Sequence, residues 1–258
     1  MAAFYTRKGE QYVSSPSTVG PWDLKLQHGG PVAALLGTRI EQAAARPDMR
    51  LGQFSLDFLG PVPVATLDVS AEVVRPGKRI AHWTARASVG GRESVRVTAW
   101  MLSAKEGRNP LIHLQDAPPP PMPEKAVSTY FTAVPRFGYG DALEWRFPEG
   151  GFEQLGPATC WARLKLELVE GEPVTPLARV LAMVDSANGI SAELDVGKYL
   201  FVPVNLTVAL AREPSTEWTA MRAVTSISSD GIGVTRAQLF DERGVIGEAL
   251  QTLYVEPR

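Results

Sequence analysis

The chain carries one pattern twice, and that duplication constrains its fold more than any other feature. Residues 28–45 read HGGPVAALLGTRIEQAAA, an apolar helix opening on a Gly-Gly pair. Residues 175–189, TPLARVLAMVDSANG, give a second apolar helix with its proline at the corresponding place. Each is followed by alternating segments bearing Val, Thr and Trp, the period of half-buried strands. Setting Pro31 against Pro176 places Ile40 opposite Asp185. On that alignment the first copy has two glycines and no acid; the second has an acid and no glycines. Such complementary losses predict one composite site built from both halves.

A proline run, APPPPMP at 117–123, marks the seam. It lacks most backbone donors and cannot join a central strand, so it is a stiff spacer. It divides the chain into an N-terminal unit, 1–116, and a C-terminal unit, 124–258. In the first unit Pro31 is expected at the first helical position. Val32, Leu35, Leu36, Ile40, Ala43 and Ala44 recur as one stripe, and Ala33, Ala34 and Gly37 keep the helix slim enough for a sheet to wrap. Arg46-Pro47-Asp48 ends it. Strands are predicted at 51–59, 66–75, 80–89 and 93–103, with turns at Pro76-Gly77-Lys78 and Gly90-Gly91. In the second unit strands at 143–147 and 158–168 precede the helix. Thr175 is its expected N-cap and Asn188-Gly189 its stop. Strands at 201–212, 217–227, 232–241 and 245–255 follow, with a hairpin at Asp241-Glu242-Arg243-Gly244. Helix then antiparallel strands, given twice, predicts an α+β fold of two helix-wrapped sheet units.

Composition narrows the class. Hydrophobic residues make up 45% of the chain, yet no run approaches the length of a membrane span. A formal net charge of -2 and a pI near 6.0 argue against nucleic acid as the main partner. The single Cys160 rules out an intrachain disulfide and a cysteine-based zinc site. The start, MAAFYTRKGEQYV, has no apolar core of a signal peptide, so a reducing cytoplasm is expected. No nucleophile elbow, phosphate loop, dinucleotide fingerprint or H-E-x-x-H occurs, which removes the usual serine hydrolases, P-loop enzymes, dinucleotide oxidoreductases and zinc peptidases.

The Trp22…His28-Gly29-Gly30-Pro31 opening, the duplication, Val184-Asp185 in the second helix and Gln251 in the last strand resemble the acyl-CoA thioesterase II group, across nearly the whole chain. The resemblance implies a double-hotdog fold, two hotdog units in one chain, and hydrolysis of an acyl-CoA to the free acid and coenzyme A without metal or organic cofactor. In that group a helix Asp, a strand hydroxyl and a last-strand Gln hold the hydrolytic water. Asp185 matches the first and Gln251 the third. Aligning Arg212 with the arginine that commonly ends the middle strand puts Pro203 where the hydroxyl belongs. Asn205 or Thr207, expected on the same strand face, would replace it.

Each residue has a plainer reading. Asp185 near a helix C-terminus is opposed by the dipole and would otherwise face solvent; as a general base it takes a proton from attacking water. Gln251 is either an ordinary strand residue or a water holder. Gly29 and Gly30 offer bare N–H groups to a thioester carbonyl, or simply allow close packing. His28 is a candidate general acid or a loop-orienting residue; His82 and His113 receive no role. Arg75, Lys78, Arg79, Arg86, Arg92 and Arg96 are a solvated sheet face or a coenzyme A phosphate handle. Two rivals remain: a non-catalytic acyl-ligand binder, kept open by Pro203, and a hydratase or dehydratase, disfavoured because no histidine lies near Asp185 in sequence. A homodimer or higher homo-oligomer is expected, burying an apolar surface at Trp100, Val97 and Val95.

Overall fold

A computed structural model describes residues 3–105, 107–108, 118–125, 131 and 133–258; His113 and the first residue of the proline seam, 117, lie outside them. The chain begins with two strands the sequence reading missed, β1 (Ala3–Lys8) and β2 (Gln11–Ser14), and a 3-10 turn at Pro16–Thr18. The first long helix, α1, is Gly29–Ala44, followed by β3 (Met49–Phe58), β4 (Thr66–Arg75), β5 (Ile80–Val89) and β6 (Arg92–Ser103). The second half opens with α2 (Gly138–Ala142), β7 (Leu143–Glu149), β8 (Ala158–Leu164) and β9 (Glu167–Val169). Two helices, α3 (Pro176–Val184) and α4 (Ala187–Ile190), lead to β10 (Tyr199–Pro203), β11 (Asn205–Leu210), β12 (Thr219–Ile227), β13 (Ile232–Asp241) and β14 (Gly244–Pro257).

All strands join one sheet in the order β7-β8-β12-β13-β14-β11-β3-β6-β5-β4-β2-β1-β9, with β10 also on β14. The order reads alike outward from the central β11–β3 seam, so two equivalent strand sets meet back to back. The seam is antiparallel, with Thr207 opposite Ser55 and their hydroxyls 2.7 Å apart. At the far edge β9, from the second half, pairs in parallel with β1 of the first. Only residues 165 and 166 separate β8 from β9, so the sheet must curl back on itself and enclose the helices.

The enclosed helices explain the composition. In α1 every residue from Gly30 to Thr38 is buried, because sheet covers one side and α3 the other. The approach is close: a Cβ on Gly30 would collide with the Ala182 carbonyl oxygen, and one on Gly37 with the Leu181 side chain. The helix starts two residues earlier than expected, so Pro31 stands third; its missing N–H is still one that a helix start leaves unpaired. Ala45 ends it in the left-handed conformation, φ 46°. The expected hairpins form, with Gly90 and Gly91 at φ 57° and 80°.

Three expectations change. The second helix does not stop at Asn188-Gly189: it breaks at Asp185-Ser186, and Asn188 and Gly189 lie inside α4. The strand expected at 201–212 is broken at Val204. Pro203 lies opposite Leu253 but Thr207 opposite Leu250, so one extra residue bulges from this strand. Val95 and Val97 are fully buried inward, whereas Trp100 is part exposed on the opposite face, an odd number of residues along the strand. They share no surface with Trp100; its exposed apolar neighbours are Ile80 and Leu102. The proline seam is more than a spacer. The Pro120 carbonyl accepts from the Trp161 indole at 3.1 Å, and Met122 packs on the Trp161, Trp218 and Phe240 cluster.

Candidate active site

The start of α1 faces the end of α3. His28 is the N-cap of α1, and its Nδ1 accepts from the Gly30 N–H at 3.0 Å. With Nδ1 occupied as an acceptor, the ring proton sits on Nε2. The imidazole lies flat on the Tyr139 ring, centroids 3.7 Å apart and planes 9° apart. Burial holds the His28 pKa down to about 3, so the ring is neutral at physiological pH. Its 3.3 Å contact from Nδ1 to Asp185 Oδ2 is therefore not an ion pair.

Asp185 caps the C-terminus of α3 and is only 4% exposed. Burial pushes its carboxyl from 3.8 up to about 7, against hydrogen bonds from Gln251 and the Gly29 N–H that favour the ionised form. Gly29 has no room for a side chain, since a Cβ would lie 2.6 Å from Asp185 Oδ2 and strike Phe58. Gln251 is 1% exposed and points inward with Ala249 and Leu253 along β14. Its Nε2 donates to Asp185 Oδ1 at 3.1 Å, and its Oε1 accepts from the Asn188 N–H at 3.1 Å. Tyr139 braces the helix break: its hydroxyl donates to the Ala182 carbonyl and meets Ser186 Oγ, both at 2.8 Å.

Of these groups, His28, Gly29, Asp185 and Asn188 border a cavity of about 340 Å³. Its other walls include Trp22, Leu26, Phe58, Pro61, Val62, Val202, Pro203 and Val204, so a carboxylate and a neutral histidine sit in an apolar hollow. Water and carboxylate interact strongly in such surroundings, and a base with a pKa near neutrality suits general-base work.

The structure thus brings together His28, Gly29, Gly30, Asp185 and Gln251 from both halves. It does not bring Asn205 or Thr207. Asn205 Oδ1 accepts from the Thr252 N–H at 2.9 Å, and Thr207 is engaged with Ser55 across the seam. The bulge at Val204 is the reason: inward positions pass from Phe201 to Leu206 and Val208, so Asn205 and Thr207 turn away from the helix side. The Gly29 and Gly30 N–H groups are also not bare, being given to Asp185 and His28. A histidine does accompany Asp185, contrary to the expectation from sequence distance, because His28 arrives from the other half. Tyr139 and Asn188 were missed; Asn188, three residues after Asp185, had been read only as a helix stop. Of the basic row, Arg96 pairs with Glu93 at 2.7 Å and Arg86 with Glu72 at 3.4 Å, as a solvated face does. Arg92 differs: its guanidinium reaches Gly60 at the cavity wall.

Comparisons with known proteins agree with this layout. A model of the acyl-CoA thioesterase N-terminal domain matches residues 18–102, and one of the C-terminal domain matches residues 114–255. No curated protein sequence matches significantly. Among solved structures, a candidate thioesterase of Novosphingobium aromaticivorans is 21% identical with a TM-score of 0.75, covering 98% of this chain and 99% of its own. A hot dog fold protein of Alicyclobacillus acidocaldarius is 18% identical with a TM-score of 0.71, covering 98% and 95%. An acyl-CoA thioesterase II of Mycobacterium marinum is 14% identical with a TM-score of 0.67, covering 98% and 94%. At such identities the structural likeness establishes the fold, a double hotdog. The two domain models, in the order and at the places of the two strand sets, establish the lineage: this chain belongs to the acyl-CoA thioesterase family.

Proposed function

We propose that this protein hydrolyses acyl-CoA thioesters to a free acid and coenzyme A, with Asp185 as general base. One observation carries the reading: a buried carboxylate with a pKa near 7, at the wall of an apolar cavity, beside a neutral histidine. The acyl group lies in the hollow between Trp22, Phe58 and Pro203. Water attacks the thioester carbon while Asp185 takes one of its protons. The carbonyl oxygen becomes an oxyanion, stabilised by the His28 Nε2–H and the positive start of α1. Collapse breaks the carbon–sulfur bond, and the proton on Asp185 passes to the leaving sulfur. Atoms and charge balance: thioester and water give carboxylic acid and thiol.

Gln251 acts here as a positioning residue. Its amide spans Asp185 and α4 and fixes the carboxylate, while its oxygen is already given to Asn188. Arg92 is the proposed handle for a coenzyme A phosphate at the rim. The His28–Asp185 contact also suits a hydratase, but His28 offers the cavity a donor rather than a second base. Release of free thiol from a panel of acyl-CoA chain lengths tests the proposal. Turnover on at least one chain, lost in Asp185→Asn, is expected. Thiol release from none, or conversion of an enoyl-CoA to a hydroxyacyl-CoA instead, would sink it.

A further inference from the structure

The site as described holds a base and an electrophilic donor, but the attacking water needs a second acceptor. A water that gives one hydrogen to Asp185 and the other to a second oxygen turns a lone pair toward the thioester carbon. Gln251 Oε1 is committed to the Asn188 N–H, and the cavity's strand wall is Val202, Pro203 and Val204, with no hydroxyl. We propose that Asn188 Oδ1 is that second acceptor, making Asn188 a catalytic residue of the thioesterase reading above, on which this inference rests.

Four features support it. Asn188 follows Asp185 by about one turn, across the helix break, and both line the same cavity. Its side chain is oriented without ambiguity: Nδ2 donates to the Phe201 carbonyl at 2.8 Å, a partner that only accepts, so Oδ1 is turned elsewhere. Among the described residues, Oδ1 accepts no hydrogen bond, although Asn188 is only 4% exposed. The oxygen is not sealed from solvent, so a water in the cavity that Asn188 lines can reach it and donate to it. The residue is also held rigidly. Its N–H is fixed by Gln251, and α4 is pinned to the sheet by Ser191 Oγ and Thr225 Oγ1, 2.7 Å apart. That rigidity is what a water-orienting group requires.

The test compares two acyl acceptors on the intact chain. In Asn188→Ala, hydrolysis of acyl-CoA should fall about 100-fold, the scale on which misplacing a reacting group acts. KM should stay within about threefold, since no substrate contact is removed. The acid limb of the pH profile should not move, because Asp185 keeps its surroundings. Acyl transfer to hydroxylamine, which does not depend on a held water, should be largely retained, so the ratio of hydroxamate to free acid rises. Asn188→Ser, which returns a smaller acceptor oxygen, should recover part of the loss, and it carries the same ratio measurement if the alanine variant does not fold. Hydrolysis unchanged in Asn188→Ala, or both reactions lowered in proportion, would overturn the assignment and leave the thioesterase reading standing. A wild-type chain that hydrolyses no acyl-CoA would overturn both.

Discussion

The two ends of the paired helices show the same layout with different outcomes. At one end the start of α1 meets Asp185 at the end of α3. At the other, the start of α3 meets Glu41 near the end of α1, where Thr175 Oγ1 donates to Glu41 Oε2 at 2.9 Å. Burial raises Glu41 as well, to about 6. The first helix therefore does carry an acid, one residue beyond the Ile40 that alignment on the prolines selects. What separates the ends is everything around the acid. At the second end Thr175 caps its own helix through the Ala178 N–H, Pro176 stands where the glycines would be, and β6 turns Val95, Val97 and Ala99 inward with no amide. The lesson is that a carboxylate at a helix start is a packing device in this fold. It becomes a candidate site where side chains are removed to make a hollow and an amide is added to aim the oxygen.

The largest effect should separate the acids. Asp185→Asn should lower kcat by about 10²–10⁴-fold with KM little changed, while Glu41→Gln leaves kcat where it was. Equal losses in steady-state kinetics would erase the distinction between the ends. Next is pH. Asp185 must be ionised to act, so kcat should rise with pH through an apparent value near 7. Glu41→Gln should retain that limb, and a limb near 4 would mean Asp185 is not the titrating base.

The helix interface gives a third effect. Gly30→Ala sets a Cβ against a backbone oxygen, whereas Gly37→Ala meets the movable end of Leu181. Overpacking of the first kind should cost about 1–3 kcal/mol in chemical denaturation, and the second less. Equal costs would show that the close approach at the Asp185 end is not special. Smallest is the effect of acidity on stability. Asp185 has a folded pKa above its unfolded value, so its contribution is full below about 4 and lost as pH rises toward 7. His28 has the opposite sign: its folded value is depressed, so its contribution is full above about 6.5 and lost as pH falls toward 3. Asp185→Asn should remove only the first slope; thermal melts from pH 4 to 8 that keep it would contradict the assigned burial.

Much of this was legible in the residues. The duplication gave both helices and the four strands that follow the first of them, because alternation and helical spacing follow directly from burial on one face or all round. Asp185 stood out as the acid opposite Ile40 in the duplication, but its proposed role and that of Gln251 came from the resemblance to the thioesterase II group. What was lost depended on single-residue shifts. The bulge at Val204 reverses which side chains face inward, and its one mark in YLFVPVNLTVAL is Pro203, which the strand reading carried through as a regular position. Asn188 was missed because Asn before Gly reads locally as a stop, while the sheet and Gln251 hold it within a helix. His28 escaped the neighbourhood of Asp185 because sequence distance says nothing of a partner in the other unit. The opening strands were missed because they pair at the distant edge, with β4 and β9.

The pairing of β9 with β1 has a consequence for how the chain is made. Both borders of the first strand set, β3 and β1, find their outer partners only in the second, as β11 and β9. During synthesis the N-terminal portion leaves the ribosome first, with two ladders of unpaired amides and carbonyls and a buried-type helix lacking its companion. Such edges recruit other strands. A nascent or truncated N-terminal unit should thus be the aggregation-prone species of this family member, and covalent fusion of the units shortens the interval in which it exists to the time taken to translate the remainder.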